Sequence, residues 1–326
     1  NAHISEYTPV AGFSIVAETQ GNELDQAKTL EVISNAVEEL KGLVNLDAEG
    51  CYETPAVTSD SEELQNTLQK LQKYGTVTIT YRFGDNIEVL DGSTISTWLE
   101  VDGFAVTLDQ TQVENYVATL RKKYDSIFRS RTFMTSYGKE ITVDGGDYGW
   151  WMNYQQEAKE LAAQIETGES KERTPVYYQT AASYGSPDYG DTYVEINLTA
   201  QHLFFYKDGQ LVMESDFVSG NSARGYDTPE GTYSITYKQR NATLVGENYE
   251  TPVSYWMPFN KNIGMHDATW RASFGGIIYK TKGSHGCINM PYEKAQELYG
   301  YIEKGTPVIC YHLAGTERST ESELEK

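Results

Sequence analysis

Hydrophobic positions along the chain change their period from one half to the other. In SEELQNTLQKLQKYG at 61–75, Leu64, Leu68, Leu71 and Tyr74 recur at helical spacing, Asp60 or Ser61 can cap the start, and Gly75 closes the run. A helix is predicted there. TVTITYRF at 76–83 then reads as a strand, and Gly84, Asp85 and Asn86 turn it into a second one, IEVL. From Val113 the helical period returns, with Val113, Val117, Leu120, Tyr124 and Ile127 or Phe128 on one face. The basic triplet Arg121 to Lys123 falls on the solvated side.

The period shifts again after YGSPDYGD at 184–191, where Gly, Pro and Asp crowd together. Beyond it strands dominate. TYVEINLT alternates, LFFYKDGQLVMESDFV reads as a hairpin turning at Asp208-Gly209, GTYSITYK alternates again, and TPVICYH closes the series. One helix interrupts, PYEKAQELYGYI, with Pro291 suited to its first turn and Tyr292, Ala295, Leu298 or Tyr299, and Ile302 as its buried face. The expected architecture is an α+β domain at 1–184, a linker at 185–191, and a mainly β, sandwich-like domain at 192–313 with one helix after Cys287. A charged tail at 314–326 follows. Within the first domain, GFSIV, AKTL and ETP (from Gly12, Ala27 and Glu53) parallel GWWMN, AKEL and RTP (from Gly149, Ala158 and Arg173). These suggest two related units, about 1–60 and 140–184.

Composition narrows the function classes. A chain of 326 residues has room for two domains with real cores. Its formal charge of −21 argues against nucleic acid, which requires clustered cations, and favours neither an anionic membrane surface nor a phosphate polymer. No run of eighteen apolar residues occurs. The opening Asn1-Ala2 reads as a remnant of tag removal, so a signal or membrane anchor is expected upstream. Three cysteines, at 51, 287 and 310, form neither a disulfide framework nor a CxxC pair.

Chemistry concentrates in GSHGCINMP at 283–291, where His285 and Cys287 stand one glycine apart. A cysteine attacks as thiolate and needs a base or an electropositive setting. Here the predicted helix from Pro291 offers its positive end, and Gly286 lets the backbone approach a substrate with its amides as oxyanion donors. Either His285 or the upstream His266, in IGMHDATW, can be the base, since the two partners need only meet in space. A zinc site from His266, His285 and Cys287 lacks an evident fourth ligand, and no metal is expected.

A histidine followed after seventeen residues by Ser284, His285, Gly286, Cys287, Ile288 and Asn289 resembles the signature of the L,D-transpeptidases, the YkuD-type catalytic domain. TPEGTY, SYWMPF, IGMHDATWR and FGG are similar to that family too. Many of its members carry arginine where this chain has Asn289. The first half, through YVATLRKKYD, TSYG and GGDYGW, more loosely resembles the peptidoglycan-binding module that precedes this domain in Gram-positive members. The resemblance implies a cofactor-free cysteine acyltransferase at the bacterial cell wall. Cys287 would attack a tetrapeptide stem, D-Ala would leave, and the amine of a second stem would resolve the thioester. It implies His266 as base, oriented by the backbone carbonyl of Asp267, whose carboxylate is a further contributor. Ser284, His285, Gly286 and Asn289 would support the loop and oxyanion, and Tyr255, Trp256 and Met257 would wall the donor site. A hydrolase using the same thioester, or a wall-binding protein without activity, are the alternatives.

Overall fold

The computed structural model describes residues 1–246 and 249–318, so residues 319–326 of the expected tail lie outside the described part. The chain divides into two compact units, 1–119 with 154–175 and 120–153 with 176–326. Both units are discontinuous in sequence.

In the first unit the helix Glu62–Gly75 forms where its period placed it. Ser61 stands at its N-cap, Glu62 and Glu63 occupy the positive end of the dipole and Lys73 the negative end. Leu64, Leu71 and Tyr74 are buried. Thr67 is buried as well, its hydroxyl satisfied by the carbonyls of Glu63 at 2.8 Å and Phe104 at 3.0 Å. The strand Ile79–Phe83 pairs antiparallel with Asn86–Leu90 and parallel with Lys171–Arg173. The helix Tyr154–Thr167 brings in a fully buried carboxylate, Glu157, which accepts from the Tyr81 hydroxyl at 2.6 Å and from Arg173 at 2.9 Å. A buried charge is tolerated there because it is both paired and hydrogen-bonded.

The helix Gln110–Tyr124 buries Val113, Val117 and Leu120 as expected but stops short of the predicted face. Phe128 lies beyond it, at φ 61° and 67 % exposed. The two segments read as repeats are also not equivalent. Ile15–Val16 and the helix Gln26–Glu38 lie in one unit, whereas Trp151–Met152 belongs to the second unit and the helix that follows it to the first.

The core of the second unit lies between two larger sheets. The five-stranded one runs in the order Gln210–Asp216, His202–Lys207, Tyr193–Asn197, Pro307–Tyr311, Gly231–Ser234. Its hairpin turns at Asp208 and Gly209, both at positive φ, which matches a two-residue turn to the twist of the strands. The four-stranded sheet runs Gln239–Gly246, Tyr249–Asn260, Ile263–Asp267, Ile288–Met290. Phe205, Ile196 and Val308 from the first, Met257, Met265, Ile288 and Met290 from the second, and Ala295, Leu298 and Ile302 around the helix Tyr292–Tyr301 make one core. The hairpin Arg131–Met134 and Glu140–Val143 adds Phe133 and Val143 to a smaller cluster with Ile309 and Tyr311. That packing places 120–153 in this unit. The stretch expected as a linker is held within the same unit: Asp188 and Tyr189 are buried, and Arg131 clamps both Asp188 carboxylate oxygens at 2.7 Å. Among the described residues, no helix is long and apolar enough to cross a membrane.

Candidate active site

Strand alternation assembles the site. Ile263–Asp267 and Ile288–Met290 run parallel, with Met265 opposite Ile288, His266 opposite Asn289, and Asp267 opposite Met290. Met265, Ile288 and Met290 point into the core, so His266 and Asn289 share the other face, and Cys287, two residues before Asn289, precedes it on that face. Two residue types that the sequence separates by a long loop thus meet across one ladder.

The loop carrying Cys287 is fixed by its own hydrogen bonds and by the segment 219–228. Ser284 donates its N–H to the Ser219 carbonyl at 2.9 Å and accepts the Asn221 N–H on its own carbonyl at 2.9 Å. Thr228 Oγ1 donates to the Gly286 carbonyl at 2.7 Å. The Ser284 hydroxyl donates to the Cys287 carbonyl at 2.6 Å and accepts the Gly286 N–H at 3.0 Å. Gly286 sits at φ 120°, a left-handed value that a side chain resists, so the HGC turn requires glycine. Its N–H is committed to Ser284, which competes with the oxyanion role expected of it.

Close approach fixes a second glycine. A Cβ on Gly220 would lie 1.7 Å from the Tyr226 carbonyl oxygen, a backbone atom that cannot step aside. Gly220→Ala is therefore expected to destabilise the unit by about 3 kcal/mol or more. Thermal unfolding measures this directly; a melting temperature within a degree of the parent would refute it.

The electrostatics of the pair differ from the sequence expectation. His266 is buried, and burial, the largest influence, pushes its imidazole below the ordinary value near 6.5. The Asp267 carbonyl and charge oppose that shift, and the Arg271 charge adds to it. Burial likewise raises the Cys287 thiol to about 11, with the Gly264 N–H acting against it. The helix near Pro291 does not rescue the thiolate. Three strand residues, roughly 10 Å of chain, separate it from Cys287, whereas the dipole acts within about one turn. Both shifts favour the uncharged forms, a thiol and a neutral imidazole.

Each expected residue has a definite place. His266 Nδ1 lies 2.8 Å from the Asp267 carbonyl and Nε2 3.0 Å from Asn289 Nδ2. The Asp267 carboxylate does not touch the imidazole through a hydrogen bond; its Oδ1 accepts the Ser254 and Tyr255 N–H groups, both at 2.8 Å. Cys287 Sγ donates to the Asn262 carbonyl at 3.5 Å, a long contact of the kind sulfur makes. His285 is exposed, and its ring lies 4.8 Å from that of Tyr226.

Tyr255 and Met257 are core residues, not cleft walls. Trp256, between them, points the other way and packs with Ala242, Val253, Leu244 and Cys287, its ring 5.9 Å from that of His266. It underlies the site rather than walling it. The wall of the cleft, about 250 Å³, is built instead by Leu244, Thr251, Trp270 and Arg271 around His266 and Cys287. Trp270 and Arg271 belong to the motif IGMHDATWR, which gives neither a role. An exposed tryptophan four residues after the base was the available signal; Leu244 and Thr251 gave none.

Comparison with known proteins identifies the family. The family model described as "L,D-transpeptidase catalytic domain" matches residues 191–310, and the one described as "Putative peptidoglycan binding domain" matches 57–173. The carbamoyl enzyme that Ldtfm forms with avibactam is 36 % identical over 76 % of this chain and 98 % of its own, with a TM-score of 0.61. A Cys-to-Ser mutant of Enterococcus faecium L,D-transpeptidase is 36 % identical over 76 % of this chain and 100 % of its own, with a TM-score of 0.60. No curated protein matches the sequence. The chain belongs to the L,D-transpeptidase family, with the catalytic domain following a peptidoglycan-binding-type domain. It is a cell-wall-acting protein.

Proposed function

We propose that the protein cross-links peptidoglycan stem peptides through a thioester on Cys287. The observation that carries this reading is the ladder that sets His266 opposite Asn289, with Cys287 two residues before it at the mouth of one cleft. Sγ attacks the carbonyl of the L-centre of the third stem residue, at its bond to the terminal D-Ala, as the thiol proton passes to His266 Nε2, whose lone pair turns from the Asn289 amide to take it. The C–N bond breaks, His266 returns the proton to the departing amine, and D-Ala leaves. The side-chain amine of a second stem then attacks the thioester and gives its proton to His266. Collapse restores the Cys287 thiol and leaves an amide cross-link.

In this reading His285 shapes the cleft and supports the oxyanion or substrate, Ser284 and Gly286 hold the loop, and Asn289 supports His266. The Asp267 carbonyl orients the base and its carboxylate braces the neighbouring strand. Leu244, Thr251 and Trp270 receive the donor stem. The domain that precedes the catalytic one delivers the enzyme to its polymer, and the protein works outside the cytoplasm, anchored at or secreted to a Gram-positive wall.

Incubation with a disaccharide-tetrapeptide, followed by mass spectrometry, tests the reaction. A dimer that has lost one D-Ala is expected. A tripeptide alone would replace transfer by hydrolysis, and unaltered substrate would sink the enzymatic reading.

A further inference from the structure

Asn289 has a second partner besides His266. Arg271 Nε donates to Asn289 Oδ1 at 2.8 Å, while Arg271 Nη1 donates to the Lys282 carbonyl at 2.9 Å, at the entrance to the Gly283–Cys287 loop. These contacts carry more information than support.

A guanidinium only donates, so the atom it meets on Asn289 must be the carbonyl oxygen. The amide then has one orientation, with Nδ2 facing His266. An amide NH2 also only donates, so His266 Nε2, 3.0 Å away, must present its lone pair. In a neutral imidazole the proton then sits on Nδ1, and the Asp267 carbonyl at 2.8 Å, which only accepts, is there to take it. Donor and acceptor requirements agree from Arg271 to Asp267 without a free choice.

We propose that Arg271 is a positioning residue: by fixing the orientation of the Asn289 amide it holds His266 in the Nδ1–H tautomer with Nε2 unprotonated, the state a general base requires. The proposal rests on the reading of His266 as that base. The Asp267 carbonyl alone does not secure this state. Freed from Arg271, the Asn289 amide can turn its oxygen to Nε2; protonation of both ring nitrogens is then satisfied on both sides, and the imidazolium gains stability. With Arg271 in place, a proton on Nε2 meets the N–H groups of Asn289.

The charged and titratable groups that face the ring are few. Asp267 follows on its own strand, Arg271 in the turn beyond, and Cys287 and His285 stand on the loop, while the adjacent strand Tyr249–Asn260 presents the uncharged Trp256. Of these, Arg271 is the cation that acts against ring protonation both by charge and, through Asn289, by hydrogen-bond direction.

The test uses the whole chain with Arg271→Met and Arg271→Lys. Two readouts are taken across pH: nitrogen-15 NMR of the His266 ring, and the rate of Cys287 acylation by a carbapenem followed by mass spectrometry. In the parent, the ring is expected to titrate below its ordinary value of 6.5. In Arg271→Met the ring should titrate at least about one pH unit higher, and the acid limb of acylation should move with it, a loss of about tenfold on that limb. Arg271→Lys should fall between, since an ammonium can donate to Asn289 but cannot also reach Lys282 in the same fork. A uniform loss at every pH with ring titration unchanged would overturn the proposal, as would no change at all. If the parent forms no adduct, the nucleophile assignment fails while the ring titration still decides the role of Arg271.

Should Arg271→Met fail to fold, Asn289→Asp decides the matter. It keeps an acceptor for Arg271 but offers an oxygen to Nε2, so the ring should stay protonated to higher pH and acylation at pH 7 should fall about a hundredfold. Acylation of Asn289→Asp at the parent rate would overturn the proposal.

Discussion

Cys287→Ala is expected to yield no covalent adduct with a carbapenem or with avibactam, no dimer and no released D-Ala. The loss should be at least about 10⁴-fold, the scale on which removing a nucleophile acts when no other group can replace it. The two remaining cysteines cannot. Cys51 and Cys310 are both fully buried, and burial pushes the Cys310 thiol far above its ordinary range. Cys310 also lies inside the core, on the strand Pro307–Tyr311, where no substrate carbonyl can approach. Intact-mass spectrometry of the parent and the variant side by side is the measurement. An adduct that persisted on Cys287→Ala would place the nucleophile elsewhere, and an unreactive parent would argue that the thiol is structural. A fold check belongs with it. Cys287 is half-buried against the cluster of Ala242, Val253 and Trp256, so removing one sulfur costs little packing and the melting temperature should hardly move.

The sequence made the elements legible wherever one face was clearly apolar. The helix Glu62–Gly75, the hairpin at Asp208-Gly209 and the closing strand Pro307–Tyr311 follow from period and turn chemistry alone. YWM at 255–257 shows where that stops. All three residues are apolar, so alternation gives no contrast, and only the ladder decides that Tyr255 and Met257 enter the core while Trp256 faces Cys287. The end of the helix Gln110–Tyr124 was hidden for a related reason. Ile127 and Phe128 continue the period after the chain has left helical geometry.

Unit boundaries were harder still. The crowding of Gly, Pro and Asp at 184–191 reads as a loop, while Arg131 grips Asp188 there and Phe133 packs on Tyr311. Those partners are distant in sequence, and no local pattern announces them.

At the site, motif residues were legible as types and the base as a candidate. Their connection was not. An arginine five residues after His266 reads as one more surface charge until folding sets it between Asn289 and the loop entrance. The raised thiol was hidden too, because proximity in sequence to a helix start said nothing of the strand that intervenes.

His266→Ala should separate the two histidines. At pH 7 a thiol pushed up to about 11 is scarcely ionised, so attack without a base depends on a very scarce thiolate. Acylation is therefore expected to fall by about 10²- to 10⁴-fold at neutral pH. Its pH dependence should change form as well. In the parent the neutral imidazole is the active state; because burial holds its pKa below 6.5, the rate should stay level through neutrality and decline only as pH drops through that lowered value. In His266→Ala that acid limb should vanish, and the rate should instead climb about tenfold per pH unit as the thiolate itself becomes available. His285→Ala should behave otherwise. The ring is exposed and rests near Tyr226, so its removal is expected to lower acylation by less than about tenfold while preserving the parent acid limb. If His285→Ala were the variant that lost its acid limb, the proton would be passing through the loop histidine. The buried imidazole on the Asp267 carbonyl would then be a structural residue, and the assignments of the two would have to be exchanged.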